Sequence, residues 1–152
     1  MNRFSRLITI FVLAFALVVV AVPSSAMAAS SPGAFVTKVN QARAAHGMRA
    51  LRASSSLRRS STRYSSWMLR RDYFGHLAAI RASHTFSRRG EVLARTGRRA
   101  PDVAQIVRQW LRSPAHRAVL LNRRYRFIGI GIGIGRLGSR RATLVTGHFG
   151  AR

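Results

Sequence analysis

The sequence predicts an α+β fold in which helices pack on an antiparallel sheet. Two observations carry this. Apolar residues recur at helical spacing in three stretches, within residues 35–45, 57–68 and 103–111, and then the period changes from 3.6 to 2. From Phe127 to Gly135 the chain alternates isoleucine and glycine, and a second period-two run follows from Ala142 to Phe149. Helices followed by a hairpin bury their apolar faces most simply as one antiparallel sheet covered by helices.

The elements follow in order. Ser30-Ser31-Pro32-Gly33 reads as a linker, assigned to residues 29–34, that ends in a helix-start signal. Phe35, Val36, Val39, Ala42 and Ala45 form the first stripe, and Gly47 is placed to end that helix. A short loop then sends Leu51 inward. Ser54-Ser55-Ser56 supplies N-cap candidates for a second helix, with Leu57, Ser61, Tyr64 and Met68 on one face and an end near Arg71. Asp72 to Glu91 has poor periodicity and reads as loop, and Val92 to Arg95 as a brief helix or extended piece. Asp102 starts the clearest helix, whose stripe is Val103, Ile106, Val107, Trp110 and Leu111. Ser113-Pro114 breaks it and starts a short helix that carries His116 and runs to about Asn122. In the first strand Ile128, Ile130, Ile132 and Ile134 share one face, and Gly129, Gly131 and Gly133 the other. Glycine weakens a strand, so three at period two predict the close approach of another element. Gly138 marks the turn into the second strand.

The first 28 residues are organised differently. Arg3 and Arg6 precede an uncharged run from Leu7 to Val22, Pro23 ends it, and Ala26-Met27-Ala28 is a small-x-small cleavage pattern. This is the layout of a secretory signal peptide cut after Ala28. The alternative is a retained anchor, for which the run is slightly short. Both place the functional domain outside the cytoplasm.

Charge and composition narrow the function. Lys and Arg number 27 against three acids, for a net charge of +24. Lys38 is the only lysine and the other 26 are arginines. Such a bias is expected of the whole coding system more than of one ligand, and the leader makes nucleic acid an unfavoured partner. With no cysteine there is no disulfide scaffold, thiolate zinc site or cysteine nucleophile. Any carboxylate chemistry must draw on Asp72, Glu91 and Asp102. No nucleophile elbow, His-Glu-x-x-His or phosphate-binding glycine loop is present. His76, Glu91 and His116 sit where the chain punctuates, and two imidazoles with a carboxylate can bind zinc or another divalent metal, or relay protons, if they converge.

Several segments, in order, resemble the CAP superfamily of cysteine-rich secretory, antigen 5 and pathogenesis-related 1 proteins, in its bacterial SCP-like extracellular branch. Val39 to Arg43 through Gly47 and Leu51 is similar to the opening helix, and Leu57 to Met68 to the second. Tyr73-Phe74-Gly75-His76 resembles a G-x-F-x-H segment without its first glycine. Gly90-Glu91-Val92-Leu93-Ala94 resembles G-E-N-I-A, with valine for asparagine. Trp110 to Arg117 matches W-x-x-S-P-G-H-R and is the most specific piece. Tyr125 to Gly131 and Thr146 to Gly150 resemble the last two strands.

The resemblance covers residues 35–150. It implies an α-β-α sandwich with a central antiparallel sheet, one layer more than periodicity shows, and a strand around Thr85 to Ala94. It also implies a cleft holding His76, Glu91 and His116, the same three being the candidate metal ligands. The family's second acid is missing, since Leu77 to Gly90 contains no Asp or Glu and only His84 is ionisable there besides arginines. A mechanism that needs two acids is therefore not supported, and no residue is assigned as catalytic. Arg81, Arg89 and Arg117 lie close to these residues in sequence, as do Arg88 and Arg95, and favour an anion over a cation. The expected function is a secreted or cell-envelope-associated binding module, without chemistry, for an anionic lipid or wall polymer. It is expected to be monomeric and to meet a membrane only peripherally or through an uncleaved leader. The alternatives are a metal-dependent hydrolase using the His/Glu/His site, and a cationic membrane-active or nucleic-acid-binding protein.

Overall fold

The computed structural model describes residues 30–152, so the expected leader lies outside the described residues. The elements are α1 (Pro32–Ala45), β1 (Arg52–Ala53), α2 (Ser55–Arg70), β2 (Arg88–Thr96), α3 (Val103–Arg112), α4 (Pro114–Leu120), β3 (Phe127–Leu137) and β4 (Arg140–Ala151). The sheet order is β1-β3-β4-β2. Among the described residues no helix is long and apolar enough to cross a membrane.

Local chemistry sets the helix ends. Ser31 accepts from Ala34 N at 3.2 Å, and Pro32 takes the first helical position, where its missing N–H costs nothing. The helix thus starts inside the segment read as linker, because the serine before the proline is a working cap. Ser54 caps α2 through Leu57 N, and Asp102 caps α3 through Gln105 N at 2.9 Å. Gly47, at φ +64°, turns the chain out of α1.

The sheet separates two helical layers, as the resemblance implied. One face carries Ile128, Ile130, Val92, Val145 and Phe149, packed with Phe35 and Val39 of α1 and Ile106, Val107 and Trp110 of α3. Trp110 Nε1 also donates to Leu93 O at 2.9 Å, which ties α3 to β2. The other face meets α2. Here the β3 glycines show their purpose. A Cβ on Gly129 would stand 2.1 Å from Arg58 N, and one on Gly131 2.2 Å from Thr62 N. The α2 backbone lies where side chains would otherwise be. The helix answers with small residues: Ser61 Oγ donates to Gly129 O at 2.8 Å, and Ser65 Oγ lies 2.8 Å from Thr146 Oγ1.

Three details differ from what periodicity alone shows. Residues 88–91, which periodicity leaves as loop, and 92–95, which it leaves between helix and strand, form one strand, β2, where the resemblance implies one; it is antiparallel to β4 from Arg88↔Ala151 to Thr96↔Thr143. Arginines on an edge strand hide the period-two signal. β1 pairs with β3 in parallel, Arg52↔Phe127 and Ala53↔Ile128, so the sheet is mixed at that edge. A two-residue strand has no periodicity to read. Ile134 shares the isoleucine face but is 45 % exposed, beyond the cover of the helices.

Candidate functional site

The predicted cleft residues come together at the β2 edge of the sheet. Glu91 lies on β2 opposite His148 of β4 and is buried. His76 arrives from the loop after α2, and His116 from α4. Tyrosines hold the His76 loop: Tyr64 Oη donates to Gly75 O at 2.7 Å and Tyr73 Oη to His76 O at 2.9 Å. Burial, with the nearby Glu91, pushes the Tyr64 hydroxyl up to about 12, so it stays a donor.

Glu91 is fully engaged. Its Oε1 lies 2.7 Å from His76 Nδ1 and its Oε2 2.9 Å from His148 Nε2. Behind it, His148 Nδ1 is 2.9 Å from Ser60 Oγ, which also lies 2.9 Å from Leu57 O. Ser60 Oγ donates to Leu57 O, and His148 donates from Nε2 to the carboxylate of Glu91. The buried carboxylate thus stands between an exposed imidazole and an enclosed one: the side chain of His76 is 50 % exposed and that of His148 fully enclosed. Ser60 and His148 form no nucleophilic pair open to substrate, since both are buried.

Sequence reasoning missed His148 and Ser60. His148 was visible only as part of a closing strand, and its pairing with Glu91 needs the β2–β4 register. Ser60 lies in α2 beside, not on, the stripe of Leu57, Ser61, Tyr64 and Met68.

His116 completes the mouth. Its ring centroid is 6.1 Å from that of His76, tilted by 46°. Burial first, and His76 second, hold it below the ordinary histidine value of 6.5. On acidification the unfolded chain therefore takes up a proton before the folded one does, and stability falls as pH drops below about 6.5. His116→Asn is expected to flatten that loss between pH 7.5 and 5, as read from urea midpoints. An unchanged slope contradicts this role.

The remaining acids are also committed. Asp72 accepts from Gly138 N in the β3–β4 turn, and Asp102 caps α3. No carboxylate is left to replace the missing second acid. Among the described residues no group of three His, Asp or Glu side chains is placed to hold a metal ion. The three-ligand set expected from the sequence is thus not assembled, because both Glu91 oxygens face histidine nitrogens. The donors fit a zinc ion only as a two-imidazole hold by His76 and His116. Glu91, accepting from Nδ1–H, would keep the lone pair of His76 on Nε2.

The arginines divide. Arg81 lies over the face of Trp67 at 4.6 Å, and Trp67 stacks on Tyr64 at 5.6 Å, the tyrosine that holds Gly75 beside His76. Arg89, on the strand face that carries Glu91, meets His84 Nδ1 at 3.2 Å. Arg117 is exposed on α4, next to His116 in sequence. Arg95 lies 5.6 Å from the Phe74 ring.

The family model for the cysteine-rich secretory protein family, CAP, matches residues 36–149. No curated protein matches the chain in sequence. Among solved structures it is similar to an outer surface protein from Borrelia burgdorferi, with TM-score 0.64, 18 % identity, and 79 % of this chain and 91 % of that one covered. It is similar also to an extracellular protein containing an SCP domain from Bacillus anthracis, with TM-score 0.62 and 21 % identity; the match covers 79 % of this chain and 40 % of that longer protein. Venom allergen-like protein 4 of Schistosoma mansoni superposes with TM-score 0.58 and 12 % identity, over 85 % of this chain and 90 % of that one. At these identities the structures show the shared fold, and the family match runs through every element that builds the cleft. The chain, cysteine-free as it is, belongs to the CAP family of cysteine-rich secretory proteins.

Proposed function

We propose that this is an extracytoplasmic CAP module, secreted or held at the cell envelope, that binds an anionic lipid or wall polymer at the His76–His116 mouth and performs no chemistry there. One observation carries the reading: the only carboxylate in the cleft is buried and spent on two histidines. What the mouth presents is imidazole and guanidinium. With Arg81 on Trp67, two aromatic rings away from the His76 loop, the local field favours an anion. The leader pattern supports the location, as does the description of two similar structures as extracellular and outer-surface proteins.

The test is a screen of anionic vesicles and acidic wall glycans against the protein and an unrelated protein of equal charge, at fixed ionic strength. The reading expects binding that the control does not share. Equal binding by the control overturns it and leaves net charge as the explanation.

A second reading rests on the neutral His116 beside His76: two imidazoles holding zinc, which when bound would polarise a substrate carbonyl or a water. Zinc titration with elemental analysis decides it. Uptake that survives His76→Ala/His116→Ala excludes the pair as the site.

A further inference from the structure

A second cluster lies apart from the cleft, where the end of α1 meets the loop between α4 and β3. Arg43, Arg49, Arg123 and Arg126, with Gly47 and Met48, line a cavity of about 230 Å³. Arg43 is 1 % exposed. Its Nε donates to Arg49 O at 2.9 Å, and its Nη1 to Leu120 O at 2.6 Å and Asn122 O at 3.2 Å. These bonds use carbonyls alone and engage Nε and Nη1. They hold the guanidinium in place but do not neutralise it.

The usual partner of such a group is a carboxylate. The chain has three on side chains, and each is committed elsewhere: Asp72 to the β3–β4 turn, Glu91 to its histidines and Asp102 to the α3 cap. Four guanidiniums therefore surround one cavity with no acid among its lining residues. Burial first, and the charge of Arg126 second, lower the affinity of Arg43 for its proton. Like charges gathered in a concavity concentrate a field that an anion relieves.

We infer that this cavity is an anion site that takes a phosphate group, with Arg43 as its fixed floor, Arg49 and Arg123 as exposed walls, and Arg126, whose Nη1 donates to Arg123 O and Tyr125 O, as a third. The planar guanidinium fork matches tetrahedral oxyanions, and its charge persists through the ordinary pH range. A water occupies about 30 Å³ of liquid, so the cavity has room for a phosphate and bridging waters. The site shares no residue with the His76–His116 mouth, so either can fail without the other.

The experiment is calorimetric titration of the protein with inorganic phosphate at constant ionic strength, with a melting curve at each concentration. Saturable binding and a rising Tm are expected. Arg49→Gln/Arg123→Gln/Arg126→Gln should weaken binding about tenfold or more, since charge-assisted hydrogen bonds are lost. The three side chains are exposed, and Arg43 stays to hold the fold. Circular dichroism checks the triple variant, and the three single variants, each expected to bind more weakly, carry the test if it unfolds. Phosphate binding that is lost in His76→Ala/His116→Ala and kept in the triple variant belongs to the mouth and overturns the proposal. A second arm uses vesicles of phosphatidylglycerol with phosphatidylcholine. Vesicle binding that free phosphate displaces and the triple variant loses assigns the site to a lipid headgroup; phosphate binding without it assigns a soluble phosphate. Equal effects of chloride and phosphate, or undiminished phosphate binding in the single and triple variants, overturn the proposal.

Discussion

Gly131→Ala is expected to cost about 3 kcal/mol or more, at the upper end of overpacking penalties. The new Cβ would stand 2.2 Å from Thr62 N, 2.3 Å from Ser61 C and 2.6 Å from Thr62 Cα. These are backbone atoms of a helix, so no rotamer change relieves the clash. α2 must move off the sheet, and the Ser61 and Ser65 hydrogen bonds to β3 and β4 loosen with it. A domain of this size should lose about 10 °C in Tm. Gly135→Ala is the matched control. Its Cβ meets only the Leu69 side chain, at 3.3 Å and beyond. That contact is flexible, and the cost should stay below about 1 kcal/mol. Equal melting losses at the two positions would contradict the close-packing account.

Glu91→Ala should be as damaging for a different reason. It removes the acceptor of a fully enclosed histidine and the partner of His76 together. Leaving the buried Nε2–H of His148 unsatisfied costs about 1–3 kcal/mol, and the loss of two hydrogen bonds to the carboxylate adds to it. Glu91→Gln keeps the shape and one acceptor oxygen. His148 can still donate to that oxygen, but the amide then offers N–H to His76. The tautomer of His76 must reverse, with Nε2 carrying the proton. Urea unfolding should show the glutamine variant far more stable than the alanine one. Imidazole nitrogen NMR should show the His76 reversal. If Glu91→Ala unfolds like the parent, the network does not support the site.

These two residues also show what was legible in the sequence. The glycine row at period two predicted a close neighbour, because glycine in a strand has a cost that demands a reason. It did not say which helix, since α2 presents serines, an unusual apolar-face substitute, to that row. His76, Glu91 and His116 were legible as candidates because each stands in a segment that resembles a family motif. Their convergence was not legible. It depends on β2, whose first residues, Arg88 and Arg89, look like solvated loop, and on its register with β4. His148 was invisible for the same reason: one histidine in an apolar strand says nothing until its cross-strand partner is known. The missing second acid was plain from composition. The structure adds that the remaining acid is buried against two histidines, His76 and His148.

The most direct measurement compares the strongest anionic ligand of the screen on the protein and on His76→Ala/His116→Ala/Arg81→Gln, at one fixed ionic strength. The account predicts at least about tenfold weaker binding by the variant, from lost charge-assisted contacts, with the fold retained. Unchanged affinity would place the ligand elsewhere and contradict the assignment of the cleft.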